Sequence, residues 1–143
     1  MKSLKIILAV IMFISFTAFI PQDTSDDVMD CASKAGASAV YLKDFQVDLP
    51  AAVAGERPPM FRQAVVLRGN NIYRFNVCNI QGEAVIRIYD SSRMLLSSYD
   101  AASGKEYNPI QFLCNKTGPY NIVITFKEGK EGEAIGIMSH VQK

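Results

Sequence analysis

Tryptophan is absent from the 143 residues, histidine occurs once, as His140, and cysteine three times, as Cys31, Cys78 and Cys114. Each scarcity narrows the chemistry. A nucleophile–histidine mechanism would rest on one imidazole three residues from the C-terminus, where chains fray. The cysteines lie 47 and 36 residues apart, which matches no zinc-binding spacing. Without tryptophan the widest ring for stacking on a sugar is missing. Charge of either sign is in no excess, with 15 Lys and Arg against 14 Asp and Glu, so no field steers the chain to nucleic acid. Helical periodicity is missing beyond the first 20 residues, and paired carboxylates for glycoside chemistry have no cleft in so short a chain with tight turns. These absences argue for a protein that is not an enzyme, with no cofactor and no metal.

What is present begins with export. Lys2 and Lys5 precede an uncharged run, Ile6–Ile20, which is followed by Pro21 and the acids Asp23, Asp26 and Asp27. A basic start, an apolar centre and a polar flank are the pattern of a secretory signal peptide, here residues 1–20. The run is short for a membrane span, which needs about 20 apolar residues, so membrane attachment is expected only if the segment stays uncleaved. Removing Lys2 and Lys5 leaves 13 basic against 14 acidic residues, a net charge near −1. The expected location is the periplasm or the exterior, with the outer envelope also open.

Three cysteines in an oxidising compartment predict one disulfide and one remaining thiol. Cys78 and Cys114 each end a strand-like run and precede an asparagine and a turn, which favours Cys78–Cys114. Parity opposes that choice. Cys78 shares the polar face of its strand with Arg74 and Asn76, whereas Cys114 shares an apolar face with Ile110 and Phe112. Cys31 with either partner, or three reduced thiols, are the alternatives.

Residues 21–39 read as a mobile leader, acidic at first and then rich in small residues, with Gly36 and serines arguing for an extended lead-in. The domain proper is 40–143. Alternation of apolar and polar residues predicts strands at Val40–Leu49, Phe61–Leu67, Ile72–Cys78, Ala84–Tyr89, Met94–Tyr99, Ile110–Cys114, Tyr120–Phe126 and Ala134–Val141. Turn signals separate them. Arg68–Asn71, Asn115–Pro119 and the charged Lys127–Glu133 read as hairpin connections, and Asp100–Pro109 as the longest internal loop after the Pro50–Pro59 loop. Eight such strands predict an all-β, eight-stranded antiparallel β-sandwich, jelly-roll-like.

Tyr89, Tyr99 and Tyr107 fall near strand ends or in the long loop, where rings could stack on a sugar or peptide, although tyrosine also serves as rim packing. They are the candidate ligand-binding residues. Asp90, Asp100 and Glu106 flank loops and could meet a cation. Asn115-Lys116-Thr117 has the form of a glycosylation sequon.

Tyr73-Arg-Phe75-Asn-Val77 and Gly118-Pro-Tyr120-Asn-Ile122-Val-Ile124 resemble two strands of the bacterial pre-peptidase C-terminal domain, a secreted jelly-roll-type accessory module. The likeness covers about residues 65–141. The aspartate-rich centre that carries calcium in some members is here Glu83–Asp90, acidic only at its two ends. Tyr41–Phe45, Tyr73–Asn79, Cys114–Tyr120 and Phe126–Ile137 also resemble segments of small uncharacterised secreted β-sandwich proteins of Gram-negative bacteria. No activity follows from either resemblance. They imply an exported, non-catalytic binding or envelope-structural module whose partner is an unknown protein or glycan of the cell envelope. The alternative is an inhibitor or chaperone-like partner of an exported enzyme, acting through the exposed Ala51–Met60 loop.

Overall fold

The computed structural model describes residues 24–143, so the expected signal segment lies outside the described residues. One helix, α1 (Thr24–Ser33), precedes β1 (Ala39–Leu49), β2 (Phe61–Leu67), β3 (Asn71–Gln81), β4 (Ala84–Asp90) and β5 (Arg93–Ser97). Two short strands follow, β6 (Tyr99–Asp100) and β7 (Lys105–Glu106). Then come β8 (Ile110–Cys114), β9 (Gly118–Phe126), a 3₁₀ turn at Lys127–Gly129 and β10 (Gly132–Val141).

Eight strands form two four-stranded sheets, β1-β10-β3-β8 and β2-β9-β4-β5, all antiparallel. The pairs β1·β10, β2·β9, β3·β8 and β4·β5 are nested. The chain is therefore one long hairpin with its tip at Asp90–Arg93, rolled so that successive strands alternate between sheets. That is the jelly roll expected from the strand pattern. Period-two alternation explains the core: Tyr73, Phe75 and Val77 of β3 and Tyr120, Ile122, Ile124 and Phe126 of β9 point between the sheets and are buried.

Three of the predicted hairpins are instead corners. Arg68–Asn71, Asn115–Pro119 and the 127–133 segment each carry the chain from one sheet to the other. Turn chemistry marks where a strand ends, not which strand it pairs with. Two of these corners hold each other: Asn70 N donates to Cys114 O at 2.7 Å, and Gly69 N to Thr117 Oγ1 at 2.8 Å.

The stretch read as a mobile leader and extended lead-in contains α1, which lies on the outer face of the first sheet. Val28, Cys31, Ala32 and Ala35 recur at helical spacing, and Val28 and Cys31 bury against Ile135 and Ile137 of β10. Asp26 and Asp27 stand in the first turn, where the helix dipole favours negative charge. The expected Cys78–Cys114 disulfide is also corrected. The bond is Cys31–Cys78, with Cα atoms 5.9 Å apart, and Cys114 is a buried free thiol. Cys78 points outward to α1 while Cys114 points into the core, so opposite faces of one sheet separate them. Such a bond belongs to an oxidising compartment. Among the described residues, no helix is long and apolar enough to cross a membrane.

Candidate functional site

The segment read as the longest internal loop is a built structure. At the end of β5, Ser98 replaces one rung of the ladder: its N–H donates to Ile86 O at 2.9 Å and its Oγ accepts from Ile86 N at 3.0 Å. The chain then turns away into the β6–β7 hairpin, where Tyr99 pairs with Glu106 and Asp100 with Lys105. Asp100 organises the turn, accepting from Ser103 Oγ at 2.7 Å and Ala102 N at 3.0 Å. The Ser103 hydroxyl first, and the backbone amides after it, hold its carboxyl below the usual carboxylate range. Gly104 closes the turn at φ +69°, a conformation open to glycine.

Past the hairpin, Asn108 fastens the chain to β3. Its Oδ1 accepts from Val77 N at 3.1 Å and its Nδ2 donates to Val77 O at 2.7 Å, the two bonds a neighbouring strand would make. Lys127, at the start of the 3₁₀ turn, reaches under the hairpin. Its ammonium is hydrogen-bonded and paired to Glu106, lies 3.6 Å from Glu83 Oε1, and sits 4.2 Å over the Tyr99 ring. The Glu106 hydrogen bond, with the Glu106 and Glu83 charges and Tyr99, pushes its pKa up against the opposing effect of burial.

Beneath these groups is a hollow of about 90 Å³ lined by Asn79, Glu83, Ser98, Tyr99, Glu106 and Lys127, among others. It shares Val77, Asn79 and Asn108 with a second hollow of about 290 Å³ that runs to Lys34, Asn76 and the half-buried Cys78. Together they make a polar groove at the β5–β8 edge. Two lysines and two glutamates balance its charge, and three asparagines supply amide hydrogen-bonding groups. The arrangement suits a ligand that is uncharged and rich in hydrogen-bonding groups.

Of the predicted ligand-binding tyrosines, Tyr99 lines this groove. Tyr107 is on the outgoing arm of the hairpin, its N–H bonded to Ser98 O and its side chain 49% exposed. Tyr89 is elsewhere: it pairs with Met94 near the Asp90–Arg93 tip, while Arg87 already pairs with Ser97. The three do not converge. Glu106, one of the acids expected to meet a cation, meets the Lys127 ammonium. Sequence reasoning passed over Lys127, Glu83, Asn79 and Asn108. Lys127 and Glu83 looked like ordinary turn charges, and nothing local tells that the two turns share one end of the sandwich.

His140 was expected in a fraying tail. It stands within β10, paired on both sides, with Nε2 3.1 Å from Asn71 Oδ1 and its ring edge-on to Tyr73. Among the described residues, no cluster of three or more His, Cys, Asp or Glu side chains is placed to hold a metal ion. No protein-family model matches the chain, and no curated protein matches it at a significant level.

Proposed function

We propose that the protein is a non-catalytic, exported β-sandwich that acts as a binding module of the cell envelope, and that the groove beneath the β6–β7 hairpin is its recognition surface. The signal-like first 20 residues and the Cys31–Cys78 disulfide support export. One observation carries the binding role: the Lys127 ammonium, held by Glu83 and Glu106 over the Tyr99 ring, ties the hairpin across a polar hollow instead of leaving a loose loop. A glycan or a protein segment of the envelope is the partner class, because both offer hydroxyl or amide groups without requiring net charge.

The test is a glycan and peptide array probed with the disulfide-bonded protein and with Lys127→Met and Asn79→Ala. Binding by the parent that falls about tenfold in either variant is the expected result, the size of a lost hydrogen bond to a charged or buried group. An array with no signal above background removes the ligand-binding role and leaves an envelope-structural one.

A second reading, an inhibitor or chaperone-like partner of an exported enzyme, draws on the Ala51–Met60 loop. Val53 and Met60 there are 58% and 52% exposed, while Ala52 N is pinned to Gly129 O at 2.7 Å. An exposed loop with a fixed base is the shape an inserting segment needs. Pull-down from envelope fractions with the parent and with Val53→Asp checks it: an enzyme captured by the parent and lost with the variant is expected, and capture unchanged by the variant counts against it.

A further inference from the structure

The opposite edge of the sandwich has a different chemistry. β1 and β2 are the free edge strands of the two sheets, and between them lies a hollow of about 390 Å³ at the end where Arg68 and His140 stand. That volume falls in the range of about 300–1,000 Å³ typical of small-molecule sites. Its walls are Val40, Leu42, Tyr73 and Met138, with Tyr73 and Met138 belonging to the core and Val40 and Leu42 42% and 47% exposed. The bulge between Tyr41 and Lys43 turns this part of β1 away from regular pairing.

Its polar groups are one-sided. No Asp or Glu lines the hollow among the described residues. Asp44, the nearest acid along β1, is already bonded to Tyr41 Oη at 2.6 Å and Gln46 Nε2 at 3.4 Å. The arginines on the sheets' faces are engaged: Arg62 with Asn121, Arg74 with Gln111, Ala35 and Ala37, and Arg87 with Thr125. Arg68 differs. Its backbone N–H donates to Tyr73 Oη at 2.9 Å, while its exposed guanidinium makes no hydrogen bond or ion pair among the described residues. The Tyr73 hydroxyl, an acceptor in that bond, keeps its own hydrogen to give.

We infer that this edge hollow binds a small amphipathic monocarboxylate, its apolar body against Val40, Leu42 and Met138 and its carboxylate on the Arg68 guanidinium. One permanent cation balances one negative charge, which favours a carboxylate over a phosphate carrying nearly two. A guanidinium fork fits a carboxylate in two parallel hydrogen bonds. The apolar walls supply affinity through burial, and the free cation selects the headgroup. The site stands apart from the polar groove, on the other edge of the sandwich, and does not depend on it.

The experiment is isothermal titration of the disulfide-bonded protein with decanoate and, as an uncharged match, decan-1-ol. Saturable binding of decanoate at one per chain is expected, with decan-1-ol at least about tenfold weaker, the size of one charge-assisted contact. Arg68→Gln should weaken decanoate about tenfold and leave decan-1-ol unchanged, since only the charged contact is lost. This exposed side chain has no partner to orphan, so the variant folds, which circular dichroism verifies. Lys127→Met, in the polar groove, should leave decanoate binding as it is. Equal affinity for the two amphiphiles, an unaffected Arg68→Gln, or no saturable binding overturns the proposal. A concentration-dependent dimer in ultracentrifugation that Leu42→Asp abolishes would also overturn it, assigning the edge to a second copy of the chain.

Discussion

Tyr120 donates its hydroxyl hydrogen to Lys116 O at 2.7 Å, and its oxygen lies 3.7 Å from Cys114 Sγ. The hydrogen bond with Cys114, then burial, then the Cys114 and Asp90 charges push the phenol up from 10.0 to about 12. A raised phenol pKa means that folding favours the neutral form. Its contribution to stability is whole below pH 10 and is lost as pH rises towards 12. Tyr120→Phe should therefore flatten the alkaline fall in stability over that window, measured by urea unfolding at several pH values. At neutral pH it should cost about 1 kcal/mol, because Lys116 O loses its donor. The neighbouring Cys114 bears on how much a sequence can tell. Face parity along β3 and β8 was readable, and it already set Cys78 with Arg74 and Asn76 on the face away from the core. What was missing locally was a reason for that face to be covered. Asn76, 1% exposed, gives the reason: its Nδ2 donates to Cys31 O of α1 at 2.9 Å. A polar residue on an outward position is no sign of solvent when a helix lies on top.

At the scale of elements, α1 depends on its disulfide. A ten-residue helix is too short to be stable alone in water, so α1 exists through its contacts with β10 and β3 and through Cys31–Cys78. The bond closes a 47-residue separation, and the chain-entropy model assigns such a loop about 4 kcal/mol. Reduction, or Cys31→Ser with Cys78→Ser, should lower the unfolding free energy by up to about that amount. Hydrogen exchange should rise first across residues 24–33, ahead of the sheets. The helical stripe at positions 28, 31, 32 and 35 was present in the sequence, though two of its four members are alanines and give a weak signal. Strands were more legible, because alternating Tyr, Ile and Phe side chains carry far more apolar area than small residues do. Corners were the least legible, since a turn is local and a change of sheet is not. Gly132, where β10 begins, shows what a corner needs. A Cβ there would meet the Phe126 ring and come within 2.7 Å of Gln81 O. Gly132→Ala should cost about 1–3 kcal/mol through overpacking, read from a shift in the denaturation midpoint at unchanged slope.

For the whole molecule, nested pairing sets how the fold must form. β4 and β5 meet across a two-residue turn, but every other main pair joins distant segments, and Ala39 pairs with Val141 at the outer limit. β10 lies between β1 and β3, so the first sheet has no continuous ladder until the C-terminal strand docks. Closing loops of this length costs entropy before the contacts return it, which places such topologies among slow folders. With the Cys31–Cys78 bond intact, stopped-flow refolding should have a time constant of roughly milliseconds to seconds, as in other sandwiches of non-local pairing. Substitutions should divide by position. Ile88→Val, in β4 beside the tip, should slow folding if the nested hairpin zips outward from Asp90–Arg93. Ile137→Val, in β10, should then act mainly on unfolding, because its strand docks last. The reverse pattern, with the β10 substitution slowing folding and the β4 one accelerating unfolding, would mean that the rolled hairpin closes from its open end. In that case the edge hollow between β1 and β2 would be shaped early and the β6–β7 groove late.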